Sequence, residues 1–297
     1  MPGSSQKMIM ADIRKRAAVP AAEALELALQ TSIDSPHAVS VARPWASSGA
    51  KGSGRAQQRT CFTADSVMSE EECCKLIEIS EASGYDKALV NVGGGRQVLM
   101  TDVRSSSRCI IDSVGAATIL WERLRHLIPP EVVPGVATRW RAVGLNERLR
   151  FLRYSPGDYF APHCDGCYVR EEAGPRHGQR SYMTCMLYLN TPDKGGETNF
   201  LNPRDEEDAV RVRPRAGLAL VFDHNLLHEG GRLVEGIKYA VRTDVMFERI
   251  PDDVPEGPRI LPPRPGTTAA SAGVREALDE PSLRSTGDSW GDGEDLR

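Results

Sequence analysis

No apolar run in this chain is long enough to cross a bilayer, and the N-terminus lacks the apolar stretch of a secretory signal. No membrane partner is therefore expected. A basic excess is missing as well. The formal net charge is −4 and the isoelectric point about 5.9, which argues against a dedicated nucleic-acid binder. The seven cysteines are odd in number and follow no disulfide spacing. A reducing compartment, the cytoplasm, is the simpler expectation. Residues 1–58 contain almost no aromatics and carry Arg, Ala and Ser in the manner of an organellar transit peptide, but Asp12, Glu23, Glu26 and Asp34 weigh against that reading. There is no internal repeat, no G-x-G-x-x-G and no second C-x-x-C to partner Cys164 and Cys167.

What is present divides the chain in three. Residues 1–58 read as a disordered or weakly helical extension, with a short helix around Pro20–Leu29 and a linker-like stretch at 47–58. Residues 59–250 hold most of the aromatic and β-branched side chains. Residues 251–297 turn to Pro, Gly, Ser and acid, a composition that cannot bury enough surface to offset ordering. In the central region Ser69 and Glu72 form a capping box ahead of Cys73, Leu76 and Ile77, and Gly84 closes that helix. A second helix places Ala117, Leu120, Trp121, Leu124, Leu127 and Ile128 on one side before Pro129-Pro130. Short apolar or alternating segments follow near 147–154, 181–190, 210–213, 217–222 and 237–248. Helices followed by a run of strands predict an α+β fold with an antiparallel barrel or jelly roll at its core.

The chemistry-bearing residues are His163 and Asp165, with His228 far downstream. On an extended strand positions i and i+2 share a face, so H-x-D presents an imidazole and a carboxylate side by side. A third imidazole from another strand completes one face of an octahedron. Such a two-His-one-carboxylate set leaves open positions and suits a non-haem iron(II) oxygenase, whereas structural zinc wants four closed ligands. His224 is the competing distal ligand. Cys164 falls on the opposite strand face, and a structural reading of the C-x-x-C is the simpler one. The loop 91–96 (NVGGGR) lacks the Lys-Ser/Thr of a phosphate loop and reads as a mobile loop. Arg104 and Arg108 read as solvated arginines or as neighbours of that loop, and Tyr168–Gln179 reads as a lid or a surface insertion.

The flanking sequence sharpens the triad. LRFLRYSPGDYFAPHCD (149–165), RSYMTCMLYLN (180–190), GGETNF (195–200), GLALVF (217–222), HEGG (228–231) and GIKYAVRTDVMF (236–247) follow in that order. This succession resembles the catalytic domain of the prolyl 4-hydroxylase-like Fe(II)/2-oxoglutarate-dependent dioxygenases, over roughly residues 60–250. The resemblance implies a double-stranded β-helix (jelly roll) at about 147–248, backed by N-terminal helices. It implies iron(II) on His163, Asp165 and His228, with 2-oxoglutarate and O2 as co-substrates and ascorbate as a helper. The expected reaction hydroxylates an unactivated C–H bond, most simply of a peptidyl proline, while 2-oxoglutarate is decarboxylated to succinate. The retained Asp165 favours hydroxylation over halogenation. Lys238, ten positions after His228, falls on the residue that pairs with the distal C5 carboxylate; Tyr188 would hydrogen-bond that carboxylate and Tyr154 would lie nearby. Arg242 shares a strand face with Lys238 and competes for the anchoring role. Hydroxylation of another residue or of a small molecule, and a non-catalytic metal- or carboxylate-binding jelly roll, remain the alternatives.

Overall fold

The computed structural model describes residues 19–30, 37–40, 59–91, 97–134 and 138–252. The expectations for 47–58, for most of the 91–96 loop and for nearly all of 251–297 lie outside these residues. Three helices are described, α1 (Ala21–Ala28), α2 (Glu70–Ser83) and α3 (Val114–Leu124), and strands are numbered in chain order. The larger sheet runs β1 (His37–Ser40), β2 (Cys61–Asp65), β15 (Ala219–Asp223), β11 (Arg180–Tyr188), β18 (Lys238–Arg249), β9 (Arg148–Tyr154), β6 (Ser107–Asp112) and β3 (Asp86–Lys87). The twelve-residue β18 also pairs with β8 (Trp140–Leu145), which pairs with β7 (Glu131–Val132). The smaller sheet runs β10 (Phe160–His163), β16 (His228–Gly230), β13 (Thr198–Asn202) and β14 (Asp205–Val212). Two short ribbons complete the set, β12 (Lys194–Gly195) with β17 (Leu233–Glu235) and β4 (Val90–Asn91) with β5 (Gln97–Val98). All these pairings are antiparallel. This is the α+β jelly roll expected from helices followed by a run of short strands.

Period-two alternation sorts the larger sheet's side chains between two cores. Ala219 and Val221 of β15 join Cys185 and Leu187 of β11 and Val241 and Val245 of β18 against the helices. Leu220, Phe222, Tyr188 and Ala240 point the other way and meet Phe200 and Val212 of the smaller sheet. Phe200 and Phe222 touch edge-on across the sandwich, centroids 5.1 Å apart. The site lies on this second side. Among the described residues no helix is long and apolar enough to cross a membrane.

The short helix expected around Pro20–Leu29 is present as Ala21–Ala28 and packs on the domain, with Leu25 and Leu29 almost fully buried in the helix-side core. The anchor comes from far along the chain. Arg123 of α3 donates to the Leu29 carbonyl at 2.6 Å and to Val67 O at 3.0 Å, and forks onto Glu72 at 2.8 and 3.1 Å. Glu72 also accepts from Ser69 N at 2.9 Å, and Ser69 Oγ accepts from Glu72 N at 3.1 Å, completing the capping box that opens α2. One carboxylate with no solvent exposure thus ties three helices together. Removing one partner of a buried ion pair typically costs ~3–5 kcal/mol. A Glu72→Ala variant is expected to lose about that much, measured as a lower midpoint in urea at unchanged slope.

Segment 168–179 is pinned rather than free. Arg170 forks onto Glu147 at 2.7 and 2.8 Å, and Val169 bridges Arg180. The hydrogen bonds from Arg170 are the main reason the Glu147 carboxyl sits as low as about 2.

Candidate metal centre and dicarboxylate cleft

The turn Ser155–Asp158 carries the chain from β9 into β10. Gly157 has φ +93°, and Asp158 Oδ2 accepts from Ser155 N at 2.8 Å. This reversal sends Phe160–His163 onto the smaller sheet, where His163 pairs with His228 across β10–β16. Asp165 is placed differently from the H-x-D-on-one-strand expectation. The strand ends at His163, and Asp165 lies two residues beyond it, fixed by its own N–H donating to the His224 carbonyl at 2.9 Å.

One ligand atom from each of His163, Asp165 and His228 lies within 4.8 Å of the others. Each histidine has Nε2 at 3.7 Å from an Asp165 oxygen. His163 Nδ1 donates to Ala161 O at 2.8 Å and His228 Nδ1 to Leu226 O at 2.9 Å. A carbonyl can only accept, so both Nε2 lone pairs are free to face the carboxylate, as metal-binding histidines require. Burial lowers the pKa of both imidazoles, His163 to about 4, so each is neutral at physiological pH. Burial alone would raise Asp165, but Arg242, the two histidines and the Thr184 hydroxyl hold it at about 2. Two neutral imidazoles and one anionic carboxylate, already convergent and oriented from behind, fit a divalent transition metal with open positions.

His224 is not part of this group. It is buried, and its Nε2 lies 3.7 Å from Asp244, its nearest described carboxylate and just beyond hydrogen-bond distance. Its service to the site is through its backbone. Cys164 and Cys167 are both exposed free thiols, their sulfurs contacting the carbonyls of Asn225 and Tyr168.

A cleft runs from the triad along the inner face of β18, and its wall includes Tyr154, Thr198, Lys238, Arg242 and Arg104. The two rival anchors are four residues apart on one strand face and lie in different places. Lys238 is 4 % exposed and forms no ion pair among the described residues; its ammonium donates to Gly196 O at 2.6 Å and lies 5.0 and 5.4 Å from the ring centroids of Tyr154 and Tyr188. Burial lowers its pKa to about 8, only partly opposed by Glu197. Gly196 adopts φ +77°, and a Cβ there would sit 3.2 Å from the lysine's own Cδ, so glycine also makes room for the tail. Arg242 instead turns to the metal end, 3.1 Å from Asp165 and 3.3 Å from Asp244.

Tyr188 has no solvent exposure and does not form part of the cleft wall. Its hydroxyl pairs with Thr198 Oγ1 at 2.7 Å, and it is Thr198 that faces the cleft. Several contributors escaped sequence reasoning. Thr184 donates to Asp165 Oδ2 at 2.5 Å, and buried Asp244 bridges Arg150 at 3.1 Å and Arg242. Phe160 stacks on His163 with centroids 3.7 Å apart, and the Arg104 guanidinium lies over the same ring at 4.6 Å from its centroid. Strand parity signals Thr184 and Asp244, since each lies on the face of its strand opposite the helix-side core residues; nothing local in sequence signals the Arg104 stack.

A family profile described as the 2OG-Fe(II) oxygenase superfamily matches residues 149–243. Among curated proteins, the chain is 25% identical over 209 residues to the probable prolyl 4-hydroxylase 7 of Arabidopsis thaliana, covering 60% of each. It is 27% identical over 207 residues to the probable prolyl 4-hydroxylase 8 of the same plant, covering 60% of this chain and 66% of that one. The chain thus spans somewhat under two thirds of these relatives' length. Similar solved structures include a viral collagen prolyl hydroxylase from Paramecium Bursaria Chlorella virus-1, with TM-score 0.40, 19% identity, and coverage of 63% of this chain and 95% of that one. A Pseudomonas putida prolyl-4-hydroxylase has TM-score 0.43 and 16% identity, with coverage of 63% and 92%.

Proposed function

We propose that this chain, whose residues 149–243 match the profile of the 2OG-Fe(II) oxygenase superfamily and which is similar to prolyl 4-hydroxylases, hydroxylates an unactivated C–H bond, with a peptidyl proline as the first substrate to test. The single observation that carries this reading is the pairing of an open three-ligand face with a buried Lys238, in no ion pair among the described residues, at the far end of the same cleft. That pairing suits a dicarboxylate held at both ends. Iron(II) with 2-oxoglutarate and O2 supplies oxidative decarboxylation, giving succinate, carbon dioxide and one oxygen atom inserted into the substrate.

The chain's own residues do the rest. His163, Asp165 and His228 are the metal ligands, leaving positions for the cofactor and oxygen. Lys238 gives the C5 carboxylate a charge-assisted hydrogen bond in a site with little competing water. The Thr198 hydroxyl, oriented by Tyr188, is a second donor toward the same end, and the Tyr154 ring flanks the lysine. Arg242 is assigned to steadying Asp165 rather than to the distal carboxylate, because it already contacts that ligand. Ascorbate would keep the metal reduced. The free cysteines support a reducing compartment, the cytoplasm in the simplest case.

The test is succinate formation from 2-oxoglutarate with Fe(II) and ascorbate, followed by mass analysis of proline-containing peptides for gain of one oxygen. Absence of iron-dependent succinate would sink the reading. A pH dependence follows from Lys238. Its ammonium is the binding form and its pKa in the empty cleft is about 8. Affinity for 2-oxoglutarate should therefore be flat below that pH and weaken above it by up to about tenfold per unit. Isothermal titration across that range checks it; an affinity unchanged to pH 10 would remove Lys238 from the role.

A further inference from the structure

The substrate end of the cleft holds more positive charge than the cofactor needs. Cys109 and Ile111 of β6, and Leu149 and Phe151 of β9, face the helix-side core. Arg108 and Arg150 therefore point to the site's side of the sheet. Arg150 pairs directly with Arg242 across β9–β18, and Arg108 stands opposite the cleft-lining Leu152 across β6–β9. Arg104 enters the same cleft just before β6, 7 % exposed.

Like charges facing each other on neighbouring strands are destabilising, so the compensation can be followed residue by residue. Asp244 bridges Arg150 and Arg242, and Asp165 also serves Arg242. Arg104 and Arg108 have only neutral described hydrogen-bond partners. Arg104 Nε donates to Ser106 Oγ at 2.9 Å and its guanidinium lies over Phe160; Arg108 Nη2 donates to Gln97 Oε1 at 3.0 Å. Burial is the main cause that lowers both groups below the ordinary arginine range; Arg104, Arg150 and Arg148 add to it at Arg108, while at Arg104 the push from Arg242 is opposed by Tyr154 and Asp165. The two carboxylates of 2-oxoglutarate are already taken, one by the metal and one by Lys238. A dication at the triad would also draw on Asp165, leaving Arg242 with less compensation.

We propose that Arg104 and Arg108 read a carboxylate on the substrate close to the carbon that is oxidised. Arg104 has the position for it, a single aromatic ring away from the metal ligand His163. The carboxylate has two sources, an Asp or Glu side chain beside the target residue of a peptide, or the α-carboxylate of a free amino acid. The placement of the oxidised carbon rests on the oxygenase reading; the charge preference in binding does not.

The experiment uses the full chain with 2-oxoglutarate and Mn(II) in place of iron. Fluorescence anisotropy compares short labelled proline peptides flanked by Asp/Glu, by Asn/Gln or by Lys, with free L-proline as competitor. Wild type is expected to bind the acidic peptide about tenfold more tightly than the neutral one. Arg108→Gln should erase the preference and Arg108→Glu should invert it toward the Lys peptide. If the peptides bind alike but L-proline binds and loses affinity in Arg108→Glu, the α-carboxylate is the source. Equal binding of all peptides without L-proline binding, or an acidic preference that survives Arg108→Glu, would overturn the proposal. Because this reads binding with an inert metal, a failed succinate assay would sink the oxygenase reading and leave the charge preference standing.

Discussion

A Lys238→Met variant is expected to bind 2-oxoglutarate at least about 100-fold more weakly while its empty form melts at a higher temperature than wild type. The first effect follows from losing one member of a desolvated charge pair, typically ~2–5 kcal/mol, of which ~2.7 kcal/mol gives that factor. The second follows from the pKa of about 8 in the fold against ~10.4 in an unfolded chain. Because the folded-state pKa is depressed, the unfolded chain binds the extra proton between those two values. Wild-type stability should then rise with pH across that window and lose nothing above it. Methionine has similar length and no charge, so its stability should stay flat there, less about 1 kcal/mol for the donor lost by Gly196 O. Calorimetric titration and thermal melts at several pH values give both readings. Unchanged cofactor affinity would move the anchor elsewhere; a variant that melts lower at every pH would mean the lysine is structural.

The second large effect concerns Asp165. Asp165→Ala should abolish Fe(II)-dependent succinate formation, by more than ~100-fold, since even residues behind a ligand are worth 10–100-fold. Asp165→Asn keeps the shape and an acceptor for Thr184 but not the charge, and should fail nearly as badly. The two should part in stability. Alanine leaves the Thr184 hydroxyl without its acceptor and takes one of two carboxylates from Arg242, for a loss of ~1–3 kcal/mol, whereas asparagine recovers part of it. Wild-type protein that also lacks iron-dependent turnover would favour a binding module. Wild-type turnover that persists in Asp165→Ala would place the metal elsewhere.

Local features of this fold were open to sequence reasoning. Ser69 with Glu72, Gly84 after the helix and the alternation in β15 and β18 each state a backbone preference within a few residues. The convergence of His163, Asp165 and His228 was legible because ordered motifs surround them. What escaped depends on which strands become neighbours. Tyr188 reads from sequence as a partner of the carboxylate; in the fold its hydroxyl pairs with Thr198 Oγ1 on β13, and of the two it is Thr198 that lines the cleft. Arg242 looked equivalent to Lys238 by parity, and its difference comes from Asp165, which approaches on a loop after β10. The helix near residue 25 read as weak in isolation, since Arg123, which anchors it, is 94 positions from Leu29. Arg104 looked solvated because the ring that shelters it arrives 56 residues later, a separation given by 160 − 104.

One extended strand carries both Lys238 and Arg242, four residues apart, and a strand advances about 3.3 Å per residue. The cleft therefore contains a ruler of roughly 13 Å whose graduations are set by backbone pairing rather than by adjustable side chains. Moving one of the two positions without the other would mean sliding the strand by a residue, which would turn every inward side chain outward. The distance between the Lys238 ammonium's root and the Arg242 position is thus held by the same hydrogen-bond ladder that holds the sheet together.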